Sequence, residues 1–129
     1  MISYELAPDI DERLSEILSG LEMKHIMPGR VMAIRSRKSN SKRVIARCHG
    51  LPKIMQLALK IDAHYIIEVI QERFGRLSYE EQTKVLIHEL MHIPLSFSGG
   101  FRAHNPYVTK REVEKMYHRF ISSMNRPQI

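Results

Sequence analysis

Cysteine and long apolar runs are the scarcest features of this chain of 129 residues. Its single cysteine, Cys48, excludes an intramolecular disulfide, and we expect a small buried apolar side chain there rather than a metal ligand. No stretch reaches the roughly 18 apolar residues of a membrane span, and the first residues lack the basic head and apolar core of a secretory signal. These absences predict a cytoplasmic protein without a membrane partner.

Acidic residues are missing from a long internal segment. Between Glu22 and Asp62 the chain has ten Lys and Arg residues, from Lys24 to Lys60, and no Asp or Glu, so this segment carries +10. The other residues, with ten basic and 14 acidic side chains, carry −4. This asymmetry predicts an anionic partner, nucleic acid first, bound through its phosphates. The segment has no aromatic residue for stacking bases, and a solvated hairpin with basic edges would explain the same charges without a partner.

A short pattern in the second half of the chain is typical of metal sites. His88, Glu89 and His92 form His-Glu-x-x-His within an apolar, helix-favouring run. Residues four apart on a helix share a face, so the two imidazoles can hold one ion from adjacent turns. Glu89 then lies about 100° round the helix, beside the ion. The pattern predicts the first half of a zinc hydrolase site.

The flanking residues support a helix around this pattern. Ser78 and Glu81 have the spacing of a capping box, which predicts that a helix begins there. Pro94 should end it, because the residue before a proline is pushed out of the helical region. Histidines that are hydrogen-bonded in a core, or exposed at the surface, are the alternative. A polar stripe with two histidines on an otherwise apolar helix favours the metal site.

A catalytic zinc ion usually takes three protein ligands and leaves a fourth position for water, so a third ligand must lie elsewhere. His104 follows the pattern after eleven residues and Glu112 after nineteen. Gly99 and Gly100 permit a chain reversal that would return His104 to the motif histidines. Glu112 also fits a capping box that begins at Thr109. We therefore predict His104 as the third ligand, with Glu112 as the alternative.

The chain resembles a family of metallopeptidases from archaea and phages. The resemblance is carried by residues 48–52 (CHGLP), 86–94 (LIHELMHIP) and 98–107 (SGGFRAHNPY), and it extends over roughly residues 30 to 120. It implies that the metal ligands are His88, His92 and His104. More distantly the chain is similar to SprT-like proteases, which also place their third histidine after a glycine-containing loop and include enzymes that degrade proteins crosslinked to DNA.

Hydrophobic periodicity predicts the order α-β-β-(α)-β-α-α, with Asp9 and Glu12 capping the first helix. A hairpin should join strands 31–34 and 44–46, a short helix should cover 51–59, and a buried strand should cover 65–70. The last helix should begin after Thr109 and bury one apolar face. We expect residues 1–129 to form one α+β, zincin-like domain, with a small sheet packed against the helix that carries the site.

These residues predict a zinc-dependent peptidase that acts on a protein or peptide substrate. In this hypothesis zinc lowers the pKa of water from 15.7 towards about 7, and Glu89 acts as general base on that water and later protonates the leaving amine. Tyr107 or Arg102, near the third ligand, would add an oxyanion contact. A strand from the region between Val31 and Cys48 would pair with an extended peptide, and the substrate would be a protein associated with nucleic acid.

Two other classes fit the same residues. Three histidines beside a basic segment could serve a metal-dependent nuclease. A binding protein or regulator with a structural zinc ion is the second class, and a closed site with Glu112 as a fourth ligand would indicate it.

Overall fold

The computed structural model of this chain describes residues 1–27 and 29–125. A sheet of four strands packs against helices. The strands are β1 (Ser3–Leu6), β2 (Val31–Arg37), β3 (Ala46–Gly50) and β4 (Tyr65–Ile70). The helices are α1 (Pro8–Gly20), α2 (Lys53–Leu59), α3 (Gln71–Phe74), α4 (Tyr79–Met91), α5 (His104–Tyr107) and α6 (Lys110–Met124). The predicted α+β class is confirmed. None of these helices has the length and apolarity that a membrane span requires.

The strands lie in the order β1-β2-β4-β3. β2 runs parallel to β4, whereas β1 and β3 run antiparallel to their neighbours. The predicted hairpin is therefore wrong: β4 lies between β2 and β3, and β3 begins at Ala46 rather than at Val44. Five of the six residues of β4 are buried, and a strand this apolar is most stable with a partner on each side. The polar loop after β2 does not fix which strands pair.

The core lies between one sheet face and the helices α1, α4 and α6. Alternate residues of β4 point into it, and Tyr65, Ile67 and Val69 are all 0% exposed. Each fully buried aliphatic or aromatic side chain contributes about 1.5–3 kcal/mol. The helices contribute Leu14, Ile17, Leu86, Ile87, Leu90, Val113 and Phe120 to the same cluster. Burial of its apolar face fixes α4 beneath the sheet, which positions the motif residues.

Side-chain caps begin α4 and α6 where the sequence predicts. Ser78 Oγ accepts a hydrogen bond from the backbone N–H of Glu81 at 3.1 Å. Thr109 Oγ1 accepts one from the N–H of Glu112 at 3.2 Å. Each bond satisfies one of the free N–H groups of a first turn. The two helices that flank the site therefore have defined starts.

The start of α1 differs from its prediction. The helix begins at Pro8, and no side chain in the described part of the chain caps it. Asp9 instead binds the Arg35 guanidinium at 2.7 Å, and this ion pair keeps the pKa of Asp9 below its ordinary value. Proline suits the first helical position because it has no N–H to satisfy. The prediction that Asp9 caps this helix was wrong because the carboxylate has a partner on β2.

Candidate metal centre

The two motif histidines lie at the end of α4. Met91 is the last helical residue, and His92 is the C-cap with φ −70° and ψ −16°, so its backbone still follows the helix. The Nε2 atoms of His88 and His92 are 3.3 Å apart. Two imidazole nitrogens held about 2.0–2.1 Å from one tetrahedral zinc ion would lie about 3.3–3.4 Å apart. The spacing therefore fits two ligands of a single ion.

His104 joins this pair from the opposite side. It is the first residue of α5, which follows a loop that reverses the chain after α4. The ring centroid of His104 lies 5.4 Å from that of His88 and 4.6 Å from that of His92. One ring nitrogen from each histidine lies within 4.8 Å of the others. The structure thus brings together the three histidines that the sequence singles out.

Backbone groups of the loop orient His92. Its Nδ1 lies 2.8 Å from the carbonyl oxygen of Arg102, and the Arg102 N–H donates to the carbonyl oxygen of His92 at 2.7 Å. A carbonyl only accepts, so Nδ1 must carry the proton in this contact. Nε2 then presents its lone pair to the other two histidines. Contacts of this kind fix the tautomer of metal-binding histidines.

Burial controls the protonation of His88 and Glu89. Burial is the main cause that lowers the pKa of His88 to about 4, and the nearby rings of His92 and His104 contribute to this shift. The imidazole is therefore neutral at pH 7, the form that binds a metal. Glu89 is only 7% exposed, and burial raises its pKa to about 7. Its Oε2 atom has no hydrogen-bond partner in the described part of the chain.

A cleft opens between β3, α4 and the loop that leads to His104. It has a volume of about 590 Å³, and its lining includes Cys48, Glu89, Phe101 and all three histidines. A second cleft of about 410 Å³ adjoins it, shares His88 and Glu89, and extends along residues 43–46. β3 pairs with β4 alone in the described sheet, so its other edge is unpaired there, and residues 46–49 of β3 line the larger cleft. An extended chain could lie along that edge and reach Glu89.

Cys48 lies on β3 and lines the larger cleft, but its thiol does not join the histidine cluster. The side chain is half-buried. Burial, together with a smaller effect from the negative charge of Glu89, raises the pKa of the thiol to about 12. A protonated thiol is a poor ligand and a poor nucleophile. This agrees with the expectation of a small apolar side chain there.

The remaining candidates near the site are Glu112, Arg102 and Tyr107. The side chain of Glu112 lies 3.6 Å from the Lys115 ammonium, outside the histidine cluster. It lines a separate pocket together with Arg102 and Tyr107. The Arg102 guanidinium stacks on the Tyr107 ring at 4.3 Å. Arg102 also lines the larger cleft, whereas Tyr107 does not, so Arg102 is the better placed of the two predicted oxyanion contacts.

Acidic residues from outside the basic segment neutralise part of it. Among residues 1–27 and 29–125, four of its ten cations form ion pairs across the fold: Arg30 with Asp62, Arg35 with Asp9, Arg37 with Glu5 and Arg47 with Glu68. Sequence carries no signal for these pairs, because the partners are distant along the chain. Three further cations, Lys38, Lys42 and Arg43, lie in the loop of residues 38–45, which we name the basic loop. Arg43 lines the smaller cleft with Glu89.

Tyr65 is the residue near the site that sequence analysis missed. Its hydroxyl accepts a hydrogen bond from the N–H of Gly99 and donates one to the carbonyl of Gly100, both at 2.8 Å. A hydroxyl in a buried, mostly apolar strand is itself a signal, because buried polar groups need partners. The sequence does not say where those partners lie.

Comparison with known proteins places the chain in a family. No curated protein and no solved structure gives a significant match. The sequence profile of one family matches residues 2–125, nearly the whole chain, and that family is described as "Putative phage metallopeptidase". The chain belongs to this phage metallopeptidase family.

Proposed function

We propose that this protein is a zinc-dependent peptidase in which His88, His92 and His104 hold the ion and Glu89 is the general base. The observation that carries the proposal is the cluster of three imidazole nitrogens within 4.8 Å of one another, with a buried carboxyl group at its side. Membership of a metallopeptidase family supports a hydrolytic role for this cluster.

The donor set fits a catalytic zinc ion. Three neutral imidazoles suit zinc far better than magnesium or calcium, which prefer oxygen ligands. Three protein ligands leave one coordination position open, as in catalytic rather than structural zinc sites. A zinc ion bound there supplies Lewis acidity, which acidifies water and polarises a carbonyl group.

Glu89 has the placement that a general base needs. It follows His88 directly on α4, and the residues around it exclude solvent from most of its surface. The unpartnered Oε2 is available to accept a proton from the attacking water and to return it to the leaving amine. Burial makes this carboxyl group a stronger base than an exposed glutamate.

The open edge of β3 favours an extended peptide as substrate. A peptide that pairs with this edge would make main-chain hydrogen bonds to residues 46–50 and cross the cleft above Glu89. Antiparallel pairing is slightly more stable than parallel pairing. In that orientation the C-terminal part of the substrate lies toward residues 43–46 and enters the smaller cleft.

The basic loop supports a substrate that is associated with nucleic acid. Arg73 Nε donates to the carbonyl of Lys42 at 2.8 Å, which adds a fourth cation beside Lys38, Lys42 and Arg43. Phosphates bound there would hold an attached protein near the cleft through Arg43. The same cations also favour nuclease activity as a second candidate function.

Cleavage assays with Glu89→Gln test the proposal. A fluorogenic library of extended peptides should be cleaved by the native protein with zinc. The variant should retain zinc and lose at least about a hundredfold in rate, since a general base contributes about 10²–10⁴-fold. Glu16→Gln, at an exposed position of α1 that lines neither cleft, should remain active. Equal cleavage by the native protein and Glu89→Gln would remove the peptidase assignment, and zinc-dependent cleavage of nucleic acid alone would replace it with the nuclease.

A further inference from the structure

The loop between α4 and α5, which we name the ligand loop (residues 93–103), carries the chain from His92 to His104. His104 itself is exposed and begins a helix of only four residues. Packing of such a short element cannot fix a ligand to the accuracy that a metal site needs. The position of His104 must therefore depend on what holds the ligand loop.

Tyr65 of β4 holds the turn of this loop. Its side chain is 0% exposed, and its hydroxyl bonds to two consecutive loop residues, Gly99 and Gly100, as described above. Burial raises the pKa of Tyr65, so the hydroxyl keeps the proton that it donates. Both backbone groups at the turn are thus satisfied by one side chain on a central strand.

The ring of Tyr65 contacts the loop on both sides of the turn. Its centroid lies 5.1 Å from the ring of Phe97 and 6.0 Å from that of Phe101, and the latter pair meets edge to face. Aromatic pairs at these distances contribute about 0.5–1.5 kcal/mol beyond burial. The phenol therefore contacts Phe97, Gly99, Gly100 and Phe101, and α5 begins three residues further on.

A side chain of α2 also holds the ligand loop by hydrogen bonds. Gln56 Nε2 donates to the carbonyl oxygens of Ser98 and Leu51, at 3.0 Å and 2.8 Å. The backbone packs closely here: Gly99 has φ +105°, and a Cβ on it would lie 2.5 Å from the Leu51 oxygen. The end of β3 and the start of α2 thus form a surface on which the turn rests.

We propose that Tyr65 is a positioning residue for the metal site, whose hydroxyl fixes the Gly99–Gly100 turn and thereby places His104 against His88 and His92. The inference rests on the proposed function, since it assumes that the three histidines bind a metal. Groups that orient metal ligands typically change metal affinity by 10–100-fold when they are removed.

The experiment is a double-mutant cycle on zinc affinity, measured by competition with a chromophoric chelator. Tyr65→Phe keeps both ring contacts and removes only the hydroxyl, and we expect its zinc affinity to fall about tenfold. His104→Ala should lose at least as much. Because Tyr65 acts through His104, the double variant should bind zinc no more weakly than His104→Ala alone. The matched control is Tyr117→Phe, which removes a hydroxyl that donates to Glu80 on α4, outside the ligand loop.

The outcomes separate this inference from the proposed function. The positioning role is overturned if Tyr65→Phe binds zinc as tightly as the native protein. It is also overturned if Tyr65→Phe lowers zinc affinity by the same factor in the His104→Ala variant as in the native protein. Native affinity in His104→Ala instead overturns the ligand assignment itself. If circular dichroism shows that Tyr65→Phe does not fold, Gln56→Leu takes its place in the same cycle. This change removes the hydrogen bond from Gln56 to the Ser98 carbonyl, and the Gln56 side chain is partly exposed. The absorption spectrum of bound Co²⁺ should change in the positioning variants and stay unchanged in Tyr117→Phe.

Discussion

His92 and Arg102 are joined by two hydrogen bonds that couple the motif helix to the ligand loop. The Arg102 N–H donates to the His92 carbonyl, and the His92 ring approaches the Arg102 carbonyl through Nδ1 at 2.8 Å. One residue therefore ends α4, binds the loop and presents Nε2 to the other histidines. Metal binding and loop structure should be energetically linked, because a ligand that binds only the folded loop stabilises it.

Gly99→Ala should weaken both the fold and the metal site. The left-handed φ and the close approach to Leu51 leave no space for a Cβ, so the backbone must shift at a cost of about 1–3 kcal/mol. Gly100→Ala is the matched control, because a Cβ there meets no atom within 4 Å. Thermal unfolding with and without zinc measures the effect. Equal losses in the two variants would contradict the account of the turn.

Cys48 should be almost inert to alkylation in the folded protein. With its pKa raised to about 12, about one thiol in ten thousand is ionised at pH 8, and the thiolate is the reactive form. Iodoacetamide should therefore modify the native chain far more slowly than the chain in denaturant, as measured by mass spectrometry. Similar rates of modification in the two states would show that the folded protein does not protect the Cys48 thiol.

Glu68 should make the fold sensitive to acid. Burial acts to raise its pKa, but hydrogen bonding to neighbouring side chains, including His49 at 2.8 Å, outweighs this and keeps the pKa below its ordinary value of 4.5. A carboxyl group with a lowered folded-state pKa stabilises the fold above its unfolded value, and this contribution is lost as the pH falls through the folded-state pKa.

Glu68→Gln tests this expectation by urea unfolding. The variant should be less stable than the native protein at pH 7 by about 1 kcal/mol or more, since a charged hydrogen bond is lost. The difference should shrink toward zero well below pH 4.5, where the native carboxyl group is also protonated. Exposed Glu12→Gln should show no such trend. A pH-independent difference for Glu68→Gln would point to altered packing instead.

Alanine in place of Lys38, Lys42 and Arg43 should weaken binding to duplex DNA, if the proposed nucleic-acid contact is correct. Each lost phosphate contact reduces the slope of log K against log salt by about 0.9, so three should lower it by about 2.7. The triple variant at Lys24, Lys53 and Lys60 removes the same charge from elsewhere in the basic segment and should bind nearly as the native protein does. Titration by fluorescence anisotropy at several salt concentrations distinguishes them. Equal losses of DNA affinity in the two triple variants would mean that DNA is attracted by the overall positive charge and not by the basic loop.

Local signals in the sequence were sufficient for the two helices that flank the site. Ser78 and Thr109 begin α4 and α6 as predicted because a cap is a bond between residues three apart. The β-branched run 65–70 became β4 with the predicted bounds. The grouping of the histidines also followed from local facts, namely the four-residue spacing and the glycine turn.

Longer-range relationships were beyond sequence analysis. The order of the strands depends on which of several apolar segments takes the centre of the sheet, and β1 was not predicted at all. Asp9 has a capping sequence around it, but Arg35 on β2 takes its carboxylate. The role of Tyr65 depends on a hydroxyl contact across 34 and 35 residues. Each of these is decided by packing partners that no short pattern identifies.

The metal content of the purified protein shows whether His88, His92 and His104 bind a zinc ion. Protein purified without a histidine tag or added zinc would be analysed for metal per chain, together with His104→Ala and Glu112→Ala. We expect about one zinc ion per native chain, a similar amount in Glu112→Ala and little in His104→Ala. A native protein that retains no zinc after zinc is offered and the excess is removed would contradict this expectation, as would a loss of metal in Glu112→Ala with retention in His104→Ala.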